Sequence, residues 1–137
     1  MHYTCDALVV TCVDSRFQKP LDRWLQEKFG YGRYDRVSFV GGVKSWGVIS
    51  SQIVMCKALH DVKKVVLVNH EDCAVYGRRA DVEIHHRLDL HLAQRWILAE
   101  FPDLLVELYY AKLDGTFVRV DYQPASVGES PPSKVVL

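Results

Sequence analysis

The residues able to do chemistry gather in two short stretches. Cys12-Val13-Asp14-Ser15-Arg16 directly follows the apolar run Ala7-Leu8-Val9-Val10 and Thr11, and His70-Glu71-Asp72-Cys73 follows Val65-Val66-Leu67-Val68 and Asn69. Cys12 from the first stretch, with His70 and Cys73 from the second, makes a donor set of two thiolates and one imidazole. Zinc accepts such donors tetrahedrally, and three of them leave a fourth position for water or substrate, as catalytic sites require. If the chain stays extended past Cys12, the two-residue period of a strand puts Cys12, Asp14 and Arg16 on one side.

Charge decides what else such a site needs. Two thiolates cancel the charge of Zn2+, so a bound water is acidified less than at an all-histidine site and neighbouring groups must assist. Asp14 is the candidate, since an ionised carboxylate accepts a hydrogen bond from the water or hydroxide, and a bidentate Arg16 keeps it ionised and turned. Asp14 has a second option, which is to occupy the fourth position itself and close the site. Glu71 and Asp72 read as turn and capping residues, with Asp72 also a candidate partner for His70.

Other polar features read as structural. Gly41-Gly42-Val43-Lys44-Ser45 lacks the Walker spacing and reads as a tight turn into a helix. His85, His86, Asp89 and His91 read as a solvated helix face rather than a second metal site. Cys5 and Cys56 read as small buried hydrophobes.

The elements that must position the two stretches follow from periodicity. Strands are predicted over 6–11, 36–40, 65–68 and 104–110, with an antiparallel edge strand over 116–122 after the hairpin-type turn Asp114-Gly115. Helices are predicted over 19–29, with Pro20 in the first turn and Gly30 as the stop, over 46–60 with Ser45 as the cap, and over 82–101. The helix over 46–60 is apolar enough to be buried on two sides, against the sheet and against a partner subunit. Strands alternating with helices predict an α/β domain with a mostly parallel central sheet flanked by helices. The domain is expected over 1–123, and the Pro-, Ser- and Gly-containing residues 124–137 as an extended or disordered tail.

Composition narrows the function classes. The 137 residues suit one domain, and 17 basic against 17 acidic side chains give no electrostatic basis for binding nucleic acid or an anionic membrane. No apolar stretch is long enough to span a bilayer and the N-terminus lacks the signal-peptide pattern, so a cytoplasmic location is expected. Four widely spread cysteines do not make the disulfide framework of a small secreted domain.

The motifs Cys-x-Asp-x-Arg, as Cys12 to Arg16, and His-x-x-Cys, as His70 to Cys73, each after an apolar strand, resemble those of the β-class carbonic anhydrases. The resemblance implies that Cys12, His70 and Cys73 bind Zn2+, and that Asp14 and Arg16 orient the zinc-bound water or hydroxide that attacks carbon dioxide. It also implies bicarbonate as product, a β-carbonic-anhydrase-like fold and a homodimer or higher homo-oligomer. Two departures stand out: Gly41-Gly42-Val43-Lys44 replaces the family's Arg-Asn-Ala-Gly segment, and Ala74 replaces the glycine that usually follows the second cysteine. They keep two alternatives in view, a related zinc hydrolase acting on carbonyl sulfide or carbon disulfide, and an inactive zinc-stabilised module that binds bicarbonate in a regulatory role.

Overall fold

Continuous β-branched and aliphatic runs form strands that are buried on both faces, and two of them lie at the centre of this protein's sheet. A computed structural model describes residues 3–120. In chain order the elements are β1 (Ala7–Thr11), α1 (Ser15–Phe29), β2 (Tyr34–Ser38), a 3-10 turn (Gly42–Ser45), α2 (Trp46–His60), β3 (Lys64–His70), α3 (Val82–Glu100), β4 (Leu105–Ala111) and β5 (Phe117–Arg119). The sheet order is β2-β1-β3-β4-β5. β1, β2, β3 and β4 run parallel, and β5 pairs antiparallel with β4, with Tyr109 opposite Arg119. The α/β class, the mostly parallel sheet and the antiparallel edge are as the sequence predicts.

Alternation along the strands divides the core in two. Leu8, Val10, Val65, Leu67, Val106 and Leu108 pack on one face against Ile49 and Ile53 of α2 and Leu90, Ala93 and Ile97 of α3. Val9, Val66, Val68 and Tyr109 pack on the other face against Phe17, Leu21 and Leu25 of α1. No helix among the described residues is long and apolar enough to cross a membrane.

Several boundaries differ from expectation, each for a local reason. α1 begins at Ser15, four residues early, because Asp14 caps it by accepting the Arg16 backbone N–H. Pro20 therefore lies inside the helix, beyond its first turn. β2 begins and ends two residues early, since Phe39 and Val40 are exposed and lead into the turn at Gly41. Ser45 does not cap α2, because its hydroxyl instead donates to the Val40 carbonyl at 2.8 Å. The expected end of β5 and the expected tail over 124–137 fall outside the described residues.

Candidate metal centre

The strand order places the candidate ligands. From β1 the chain passes to β2 on one side and then to β3 on the other, so a crevice opens at the carboxyl ends of β1 and β3. Cys12 is the first residue past β1, and His70 is the last residue of β3. Asp72, with φ 56°, turns the chain back so that Cys73 faces the crevice, and the Cys73 carbonyl accepts the N–H groups of Tyr76 (3.0 Å) and Gly77 (3.2 Å). The metal-competent atoms of Cys12, His70 and Cys73 lie within 4.8 Å of one another, and all three residues are buried.

The state of His70 tests whether this cluster fits a metal ion. Its Nδ1–H donates to the Glu71 carbonyl at 2.7 Å, which leaves Nε2 with a lone pair, and Nε2 is buried with no hydrogen-bond partner. A buried unpaired acceptor is costly, whereas a metal ligand with its other ring nitrogen held by a carbonyl is a common arrangement. Two soft sulfurs and this nitrogen suit zinc. Of the two cysteines, Cys12 is the stronger acid: the Cys73 thiol donates to it, burial opposes this, and the Gly41 N–H (3.3 Å from Sγ) adds to the stabilisation. The same contact and burial push the Cys73 thiol up.

Beside the cluster stands the carboxylate of Asp14. Arg16 donates to it through Nε (3.0 Å to Oδ1) and Nη2 (2.7 Å to Oδ2), and its backbone N–H adds a bond at 2.9 Å to Oδ1. Arg16 therefore pulls the Asp14 pKa down to about 2 against a small burial penalty. Arg16 is itself held by Asp72, through Oδ2 and the carbonyl, each at 3.0 Å. Asp14 Oδ2 lies 3.9 Å from His70 Nε2. The proximity of Cys12, Asp14 and Arg16 comes from the helix cap and not from a continued strand. Asp72 holds Arg16 and Arg78 instead of His70, while Glu71 accepts the Leu113 N–H at 2.8 Å.

The Gly41-Gly42 turn is packed against this cluster, and here glycine is required. Gly41 and Gly42 have φ of 80° and 54°; a Cβ would stand 3.1 Å from Val75 Cγ1 at Gly41 and 3.2 Å from Asn69 Oδ1 at Gly42. The turn leads into α2 as expected, and Lys44 is engaged by Asp89 at 3.7 Å rather than held out for a phosphate.

The expected solvated histidine face is corrected at one position. His86 is fully buried, because it leads the stripe His86, Leu90, Ala93, Ile97 at helical spacing on α3. That stripe is visible in the sequence and is the signal that identifies it. Its ring stacks on Tyr76 at 3.6 Å, and Asn69 Nδ2 donates to its Nδ1 at 2.9 Å; burial lowers its pKa to about 4, so it stays neutral. Tyr76 packs against Cys12 and Cys73 and donates to Asp89 at 2.7 Å, so this group backs the candidate metal cluster. His85 pairs with Asp81 at 3.1 Å, and no metal-competent cluster forms in the patch among the described residues. A cavity of about 390 Å³ between α2 and α3, with Lys44, Trp46, Asp89 and Trp96 in its wall, includes none of Cys12, His70 and Cys73.

A family model described as "Putative carbonic anhydrase" matches residues 2–121. The chain belongs to this family. Its fold is that of β-class carbonic anhydrases: a carbonic anhydrase from Streptococcus mutans superposes with TM-score 0.64 at 19% identity, covering 88% of this chain and 84% of that one. A tetrameric β-carbonic anhydrase from Sordaria macrospora gives 0.58 at 15% identity, covering 90% and 84%. A carbon disulfide hydrolase gives 0.61 at 11% identity, covering 94% and 89%. In sequence, an uncharacterized protein of Rickettsia bellii is 24% identical over 132 residues, 82% of this chain and 80% of its own. This carbonic anhydrase family member is divergent: the structural likeness holds at low identity.

Proposed function

We propose that this protein is a zinc-dependent carbonic anhydrase that converts carbon dioxide reversibly to bicarbonate and a proton. The observation that carries the proposal is the convergence of Cys12, His70 and Cys73 within 4.8 Å, with His70 Nε2 unpaired. In this reading those three residues hold the ion, and zinc when bound supplies the Lewis acidity that makes water nucleophilic near neutral pH. The chain's own groups supply orientation. Asp14 Oδ1 spends both acceptor positions on Arg16, whereas Oδ2 spends one, so its second lone pair is left to accept from a water in the crevice. Arg16 fixes that carboxylate and keeps it ionised, and Asp72 fixes Arg16 in turn. Held this way, Asp14 is disposed to orient water rather than to close the site.

Arg16→Ala is therefore expected to retain zinc and to lower turnover about 10- to 100-fold, with a changed pH–rate profile. Unchanged rates and profile would remove the Asp14–Arg16 pair from the reaction.

The decisive experiment is stopped-flow carbon dioxide hydration at neutral and mildly alkaline pH, with zinc assayed in the same sample. Zinc-dependent turnover supports the proposal; a zinc-replete, inactive protein ends it. The carbon disulfide hydrolase among the structural relatives, together with the Gly41-Gly42-Val43-Lys44 segment beside Cys12, favours one second reading, attack on carbon disulfide or carbonyl sulfide. Activity on those substrates alone would establish it. Inactivity on all three, with bicarbonate binding by calorimetry, would leave a regulatory module.

We also propose a homo-oligomer in the cytoplasm. All four cysteines are free, as a reducing compartment keeps them. α2 buries Ile49 and Ile53 but leaves Val48, Met55 and Leu59 exposed along one stripe, and a second copy is the occupant that the tetrameric relative suggests. Light scattering is expected to give a multiple of the chain mass, reduced in Met55→Asp; a monomeric wild-type protein would refute this.

A further inference from the structure

A second set of metal-competent side chains lies at the amino ends of the strands, opposite the crevice. Cys5 Sγ, an Asp35 carboxylate oxygen and a His60 ring nitrogen lie within 4.8 Å of one another. They come from three elements: Cys5 just before β1, Asp35 in β2, and His60 as the last residue of α2. Cys5 donates to Asp35 Oδ1 at 3.3 Å, and His60 Nδ1 lies 2.5 Å from Asp35 Oδ2.

Backbone contacts pre-form the arrangement. The Cys5 N–H donates to the His60 carbonyl at 3.1 Å, and the pairing of Leu8 with Asp35 fixes β2 against β1. Cys5 is buried at 3% exposure, while the side chains of Asp35 and His60 keep 16% and 23%, enough for an ion to enter.

We propose that Cys5, Asp35 and His60 form a second metal site, for zinc-class divalent ions. One sulfur, one imidazole and one carboxylate are donors that zinc accepts, and a water or the second carboxylate oxygen would complete the coordination. Ligands around such an ion stand roughly 3.5 Å apart, so the spacing within 4.8 Å needs only a small contraction. On binding, the Cys5 thiol releases its proton and the hydrogen bonds to Asp35 give way to metal bonds. The ion would clamp the start of β1 and the edge strand β2 to the end of α2. It lies about 20 Å from the Cys12 cluster along β1, and it stands independently of the proposed activity.

The test is zinc content per chain of the zinc-saturated, gel-filtered full-length protein by mass spectrometry. Two ions per chain are expected in the wild type, one in Cys5→Ser and His60→Ala with carbon dioxide hydration unchanged, and one in Cys12→Ser. Asp35→Asn, which keeps the side-chain shape, is expected to lose the second ion to a competing chelator at least tenfold more readily. One ion per chain that disappears in Cys12→Ser, or two that survive in Cys5→Ser, His60→Ala and Asp35→Asn, would overturn the second site. One ion that survives in Cys12→Ser and vanishes in His60→Ala would support it and count against the Cys12 centre instead.

Discussion

Cys12→Ser and His70→Ala are each expected to lose the zinc of the crevice and, with it, both activity and stability. Because a metal that binds only the folded chain stabilises it by mass action, about 4 kcal/mol is withdrawn where free zinc stands near a thousandfold above its dissociation constant. In a domain of this size that lowers Tm by about 10 °C or more. His70→Ala has a second cost, since the Phe17 ring packs on the imidazole at 4.3 Å and would face a cavity. Metal analysis paired with calorimetry checks both effects. Retention of the full wild-type zinc content in either variant would end the assignment of Cys12, His70 and Cys73 as ligands, whatever happened to the rate.

Acid is expected to destabilise the protein through Glu107, far from the crevice. Glu107 faces the α1 side of β4, with 7% exposure, and it is met by Lys64 at 2.5 Å, Lys28 at 3.0 Å, the Tyr109 hydroxyl at 2.8 Å and, farther off, Arg119 at 3.9 Å. Burial opposes its ionisation, yet these partners outweigh it and hold its pKa at about 2. The folded pKa lies below the ordinary glutamate value, so the unfolded chain takes up the proton first. The stabilisation is present above about pH 4.5 and is lost as pH falls toward 2, for a total of roughly 3 kcal/mol. Urea unfolding at pH 6 and pH 3 measures it against Glu107→Gln, which removes this contribution. The variant is expected to be less stable at pH 6 by a similar amount and to lose less on acidification. Equal losses in both proteins would show that Glu107 does not carry the acid sensitivity.

The two interactions behave differently because of what surrounds them. Arg16 is about half exposed, so water screens its pairing with Asp14 and the pair adds little stability whatever its value for orientation. The carboxylate of Glu107 is covered, so loss of its charge leaves Lys28 and Lys64 close together on the α1 side of the sheet with no anion between them.

The sequence by itself determined the order and type of the elements, since buried β-branched runs and amphipathic spacing are local properties of the chain. β3 and α2 were legible for that reason, and so were the two motifs placed at strand ends. The motif cysteines and histidine could be named as candidates because thiol and imidazole chemistry belongs to the residue types. The motifs and their resemblance named Cys12, His70 and Cys73 as one set, but the tertiary structure is what brings them together. The reversal of strand order between β1 and β3 brings Cys12 to His70, and no local pattern encodes that. The Asp14–Arg16 clasp arises from a helix cap, where the strand period had suggested continued extension. His86 reads as solvated in the sequence because His85, Asp89 and His91 around it conceal a helical stripe, and burial depends on what packs against that stripe. Cys5, Asp35 and His60 come from three parts of the chain, so their convergence follows from strand register and the position of α2, neither of which one sequence states.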